Sequence, residues 1–177
     1  MSRVNLQIES VPAASQPVLD QIRKAFDGIP NMFKATANSP AALQSMWSAF
    51  GALGKGTLGA RLGEQLAVAI ANRNRCEYCL AAHTVLGQKA GASAAEMSAA
   101  QSGDSDDART AAALTFALKV VEQRAQVSET DVANLRNAGF SDEQIVEILA
   151  HVSLNLFTNY INIALAVPVD FPKVALK

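Results

Sequence analysis

Residues 61–91 read RLGEQLAVAIANRNRCEYCLAAHTVLGQKAG, and this stretch decides the fold. A helix is expected from about Arg61 to Asn72, and the polar turn Asn72-Arg73-Asn74-Arg75 ends it. A second helix opens near Cys76 and runs to Lys89, where Gly91 stops it. Two Ala- and Leu-rich helices joined by so short a turn pack back to back more readily than they form strands.

Outward from this pair the pattern stays helical. On the N-terminal side, Ser39-Pro40 reads as an N-cap followed by a first-turn proline, for a helix carrying Leu43, Met46, Trp47 and Phe50. Gly51, Gly54, Gly56 and Gly59 are expected to break that helix. A short helical turn fits Asn31 to Ala37. Earlier still, Pro17, Val18, Leu19, Ile22 and Phe26 mark a helix stopped at Asp27-Gly28, preceded by an extended lead-in over residues 1–16. On the C-terminal side, Ser93 with Glu96 is a capping box for a short helix. The charged stretch Asp104 to Arg109 reads as a solvated linker and cap before a long helix over roughly 106–123. Ser128 caps another helix, closed by Gly139. Ser141 with Gln144 opens a last, apolar helix that ends before Pro168. Nothing alternates as a strand would, so the fold class is all-α, in one domain spanning 1–177.

Composition agrees. Half of the 177 residues are hydrophobic but only 6% are aromatic, so Ala, Leu, Val and Ile must build the core. Lys and Arg total 15 against 16 Asp and Glu, for a net charge of −1, and no basic run stands out. No nucleic-acid partner and no membrane-surface role is therefore expected. The apolar run from Ile145 to Val167 could span a bilayer by length alone. It carries Glu147, His151, Asn155, Asn159 and Asn162, which hydrocarbon would penalise, and it reads as a buried helix. The first ten residues lack the pattern of a secretory signal, so a cytoplasmic location is expected. A faint internal echo relates Glu64-Gln65 and Leu66 to Ala71 with Glu143-Gln144 and Ile145 to Ala150, and suggests a weak two-fold repeat.

The chemistry concentrates in Arg75-Cys76-Glu77-Tyr78-Cys79-Leu80-Ala81-Ala82-His83. Cys76, Cys79 and His83 are spaced three and four apart and share one helix face. Cys76 lies in the opening turn, where free backbone N–H groups and the helix dipole favour a thiolate. Arg73 and Arg75 add positive charge nearby. A thiol with an ordinary pKa near 8.5 is lowered in such surroundings, as attack on a peroxide or disulfide requires. His83 can relay the proton of Cys79. If the two helices fold back antiparallel, a rise of about 1.5 Å per residue brings Glu64 to within a turn of His83. Other readings of the same residues are inert core cysteines, a zinc site using Cys76, Cys79, His83 and His151, and a merely solvated Glu64. Three ligands on one helix suit a tetrahedral metal poorly, so no metal or other cofactor is expected.

At these residues the chain resembles the AhpD-like alkylhydroperoxidase branch of the carboxymuconolactone decarboxylase family. The family pattern is a Glu, then Cys-x-x-Cys twelve residues on, then His four past the second Cys. Glu64, Cys76, Cys79 and His83 meet every spacing. Ile29-Pro30-Asn31-Met32-Phe33, Ser39-Pro40, Leu66 to Ala69, Thr158 to Asn162 and Asp170-Phe171-Pro172 resemble its peroxidase-related subgroup. The resemblance implies a compact multi-helix bundle, a homo-oligomer (trimer or hexamer), and an antioxidant peroxidase cycling through a redox-active disulfide. It implies a hydroperoxide substrate and a dithiol reductant or redox partner protein. By carry-over, Cys79 attacks the peroxide, Cys76 resolves, and His83 with Glu64 relays the proton. One position departs: best-known members have His where this chain has Tyr78, which can hydrogen-bond but, with a pKa of about 10, cannot act as a base near neutrality. A thiol–disulfide oxidoreductase with little peroxidase activity is the alternative function.

One further pattern stands apart. His151, Asn155, Asn159 and Asn162 form a polar stripe on the last helix, read either as a satisfied internal seam or as a wall facing the cysteine pocket. Trp47 and Tyr160 read as core or interface residues.

Overall fold

In the computed structural model, which describes residues 2–177, two helices lie antiparallel at the centre: α4 (Ala60–Arg73) and α5 (Glu77–Lys89). Leu66, Ile70 and Leu80 are fully buried between them and their neighbours. Each such side chain contributes about 1.5–3 kcal/mol relative to an exposed position.

Around this pair stand α1 (Gln16–Phe26), α2 (Asn31–Thr36), α3 (Pro40–Leu53), α6 (Ala94–Gln101), α7 (Ala108–Glu122), α8 (Glu129–Asn137) and α9 (Asp142–Ala164). No strand occurs among the described residues, and the fold is all-α. The expected capping boxes at Ser93/Glu96 and Ser141/Gln144 are present, and a third forms at Ser128/Asp131. Ser39 caps α3 by accepting from the Ala42 N–H.

Two local expectations need correction. Gly51 does not break α3, which runs on to Leu53. The glycine lies on the exposed side, where its cost of about 1 kcal/mol relative to Ala is outweighed by the packing of Leu43 and Met46. The lead-in is not wholly extended, since residues 8–10 and 13–15 each form a 3-10 turn before α1.

Helix α9 is the long partner against which α2, α3, α4, α5 and α7 all pack. No helix among the described residues is long and apolar enough to cross a membrane. After α9 the tail turns back over the molecule. Asp170 accepts from the Asn31 N–H at 2.8 Å, at the start of α2. Further along, the Lys177 N–H donates to Asn72 at 2.9 Å. Phe171 and Asp170 are thereby carried to the N-terminal end of α5.

Candidate active site

The corner between α4 and α5 is built around Cys76. Arg75 adopts the left-handed conformation, with φ 60°, and the Cys76 N–H donates to the Ala71 carbonyl at 2.8 Å. That bond closes the C-terminal turn of α4. Cys76 is also the N-cap of α5, its sulfur accepting from the Cys79 N–H at 3.3 Å. One residue thus ends one helix and starts the next, which leaves its sulfur little freedom.

Cys79, in the first turn of α5, sets its own sulfur 2.7 Å from that of Cys76. Both are free cysteines and both are buried. The two thiols are not equivalent. The hydrogen bond from Cys79 holds the Cys76 thiol below its ordinary range, against the opposing effect of burial. Backbone N–H groups of Cys79 and Tyr78 and the imidazole of His83 act in the same direction. Burial pushes Cys79 well above the ordinary range, and its hydrogen bond and proximity to Cys76 add to this. Of the two thiols, Cys76 is therefore the one that ionises more readily and Cys79 the one that keeps its proton.

His83 follows one turn later, and its Nδ1 lies 2.7 Å from Glu64 Oε2. Burial alone would disfavour charge on the imidazole, but the Glu64 carboxylate outweighs it and raises the His83 pKa. The antiparallel register expected from the sequence thus brings Glu64 to His83. Gly87 permits the close approach, since a β-carbon there would lie 3.3 Å from Glu64 Cβ and inside the Met97 side chain.

Tyr78 points away from the sulfurs. Its hydroxyl accepts from the Met32 N–H at 3.1 Å, and its ring meets Phe171 edge-on at 5.8 Å. Burial, with Asp170 nearby, keeps the phenol protonated. It fastens α2 and the tail to the start of α5.

From α9, Asn162 Nδ2 donates to Cys79 Sγ at 3.1 Å. Asn159 accepts at 2.9 Å from Asn74, in the turn before Cys76. The polar stripe thus divides. Asn155 donates to the His151 carbonyl within its own helix, while Asn159 and Asn162 face the cysteine corner. His151 is half-buried, and burial lowers its pKa, so it is neutral near pH 7.

A cavity of about 860 Å³ opens onto this corner. Cys79, His83 and Glu64 lie on its floor, and Cys76 is not among the residues that line it. Its walls are mainly apolar, with Phe26, Phe33, Trp47, Phe50, Leu86 and Phe171, and Lys24, Asp27, Lys89 and Asp170 also line it. Trp47, read from the sequence as a core or interface residue, lines the cavity. The aromatic walls come from four separate segments, so no local pattern announced them. Among the described residues no group of three or more His, Cys, Asp or Glu is arranged to hold a metal ion.

Comparison with known proteins bears on this geometry. The model of the carboxymuconolactone decarboxylase family matches residues 40–123, the segment that carries Glu64, Cys76, Cys79 and His83. No curated protein matches the sequence. Among solved structures, an uncharacterized peroxidase-related protein from Silicibacter sp. TM1040 is similar, with 24% identity and a TM-score of 0.82 over 98% of this chain and 92% of that one. An alkylhydroperoxidase AhpD-core, peroxidase-related protein from Ralstonia eutropha JMP134 is similar at 24% identity and a TM-score of 0.83, over 96% and 92%. The debrominase Bmp8, in complex with 2,3,4-tribromopyrrole, shares the fold at 19% identity and a TM-score of 0.80, over 96% and 94%. Residues 40–123 thus match the carboxymuconolactone decarboxylase family model, and the chain as a whole has the fold of these AhpD-like proteins.

Proposed function

We propose that this protein is a thiol-dependent peroxidase that reduces organic hydroperoxides by cycling Cys76 and Cys79 between dithiol and disulfide. One observation carries the reading: two free sulfurs 2.7 Å apart, of which only Cys79 opens onto an apolar cavity that also holds the His83–Glu64 pair.

In the first step the Cys79 thiolate attacks the terminal oxygen of the hydroperoxide. An S–O bond forms, the O–O bond breaks, and the leaving alkoxide takes a proton from His83 to depart as the alcohol. Glu64 supports the charged imidazole that supplies this proton. Cys79 is left as a sulfenic acid. Cys76, which by then carries the proton given up by Cys79, attacks the Cys79 sulfur. An S–S bond forms, the S–O bond breaks, and the Cys76 proton passes to the leaving hydroxide, which departs as water. An external dithiol restores both thiols through a mixed disulfide. The chemistry needs no metal or other cofactor.

The cavity favours this reading over the exchange of electrons with a large protein disulfide. At 1% and 2% exposure the sulfurs are out of reach of a folded partner's surface but open to a small molecule entering between aromatic walls. A small dithiol, or an extended segment of a partner protein, suits the return step. Exposed Val146, Tyr160 and Ile163 on α9 support assembly into a homo-oligomer, and a cytoplasmic location suits a pair that must be kept reduced.

The test is hydroperoxide consumption by the purified protein with a dithiol reductant, beside the Cys76→Ser and Cys79→Ser variants. Turnover by the wild type alone, with a sulfenic acid trapped on Cys79 in Cys76→Ser, supports the cycle. No consumption by the wild type, or full activity in Cys79→Ser, overturns it.

A further inference from the structure

The site poses a problem that its four family residues do not solve. Cys79 faces the cavity, yet Cys76 is the thiol that ionises more readily. Attack through Cys79 requires its proton to pass across the 2.7 Å contact to Cys76, leaving a thiolate in a buried position. Something must make that position tolerable.

We propose that Asn162 and Asn159 form a cradle of amide N–H donors that holds negative charge on the Cys79 sulfur, and that Asn74 positions Asn159 for it. The inference rests on the peroxidase reading above, in which Cys79 is the attacking thiol.

The geometry supports each part. Asn162 Nδ2 already touches Cys79 Sγ at 3.1 Å, from a helix 83 residues further along the chain. Asn159 is one helical turn away on the same face of α9 and fully buried. Its carbonyl oxygen is occupied by Asn74 at 2.9 Å, which fixes which way its amide nitrogen points. Among the described residues that nitrogen, Asn159 Nδ2, has no hydrogen-bond partner, and neither has Asn162 Oδ1. Buried polar atoms are almost always paired, so an unpaired amide N–H one helical turn from the Asn162 that touches the sulfur calls for an explanation. Thr158, between them in sequence and equally buried, is satisfied by the Asn155 carbonyl at 3.1 Å. The exception is thus confined to the two side chains at the cysteine corner. Both amides also favour the ionised form of Cys79, in opposition to burial and to Cys76.

Amides suit the task better than a cation would. A buried Lys or Arg would bind the thiolate permanently and dull it, whereas an amide dipole costs little while the sulfur is neutral and gains as charge develops. The transfer balances: Cys79 loses a proton, Cys76 gains it, and one negative charge moves from one sulfur to the other.

The test removes Cys76 as a complication. In a Cys76→Ser background the ultraviolet absorbance of the Cys79 thiolate is titrated against pH, with and without Asn162→Ala, Asn159→Ala and Asn74→Ala. Asn162→Ala is expected to raise the Cys79 midpoint by about one pH unit, a roughly ten-fold loss of thiolate at a fixed pH below it. Asn159→Ala and Asn74→Ala should shift it the same way by less. A merely structural role would lower the melting temperature and leave the midpoint alone. An unmoved midpoint in folded Asn162→Ala overturns the proposal. If that variant does not fold, unmoved midpoints in the other two overturn it. The titration uses no peroxide, so a wild type without peroxidase activity would remove the proposed function and leave the cradle to be judged on its own data.

Discussion

Helices α5 and α9 both carry polar groups into the interior, and they do it in opposite ways. The N-terminal half of α5 brings ionisable groups, Cys76, Cys79 and His83, within eight consecutive residues at a helix start, where the backbone itself stabilises charge. Helix α9 brings neutral amides from its C-terminal half, more than 75 residues away, and its own backbone there has no free N–H to offer. The α5 groups can titrate, and in the proposed cycle they are the ones that react. The α9 groups can only orient, donate and exclude water. A site divided this way keeps its charge in one short segment and its solvation in another, so the two can be changed separately.

The sharpest way to break the comparison is at the reacting atom. Cys79→Ser should lower hydroperoxide turnover by roughly 10³-fold or more, measured as initial rates with excess dithiol. Activity near that of the wild type would mean that α5 is not where the chemistry happens. Next in size is the relay. Glu64→Gln, which keeps the shape but removes the charge, should lower turnover by about 10²-fold, within the usual range for general acid–base help.

The same variant carries a pH signature. His83 has a raised pKa in the folded protein, so the Glu64–His83 pair stabilises the fold fully below pH about 6.5, the ordinary His value. That contribution is lost as pH rises through the higher, folded-state value. The melting-temperature gap between wild type and Glu64→Gln should therefore be wide near pH 6 and narrow as pH rises from there. A gap that widens with pH contradicts the assigned charge.

Tyr78→Phe probes the anchoring side of α5. Loss of the hydroxyl leaves the Met32 N–H without its acceptor, at a cost of about 1–3 kcal/mol in chemical denaturation. Turnover should fall only a few-fold, because Tyr78 holds the wall and not the sulfur. The smallest effect is expected at Asn155→Ala. Its amide donates to a carbonyl of its own helix, so stability should fall by about 1 kcal/mol and the Cys79 titration should not move. A shifted titration there would extend the cradle beyond the two amides assigned to it.

Much of the α5 side is legible in the sequence because its information is local. The spacing of Cys76, Cys79 and His83 survives any packing that keeps them helical, and a short turn before Cys76 leaves Glu64 few places to go except beside His83. The capping boxes at Ser93 and Ser141 and the cap at Ser128 are equally local. The errors fall where a local rule competes with tertiary burial. Gly51 reads as a breaker, but the apolar face of α3 holds the helix through it.

The α9 side was only half legible. The stripe His151, Asn155, Asn159, Asn162 is plain in the sequence, but which of its members meets a cysteine depends on the rotation and axial position of α9 against α5. Periodicity reports a face and not its partner. The aromatic cavity is less legible still, since Phe26, Phe33, Trp47, Phe50 and Phe171 have no common spacing and meet only after four separate segments have docked.

By itself, then, the sequence determined the all-helical class, the capped helix starts, and the clustering of Cys76, Cys79 and His83, because each depends on residues within a turn or two of one another. Only the tertiary structure decided that Cys79 and not Cys76 opens to the cavity, that Tyr78 turns aside to fasten α2, and that two amides of α9 reach the sulfur. Those outcomes depend on distances between segments far apart in the chain, and these are set by how side-chain volumes fill the space between helices.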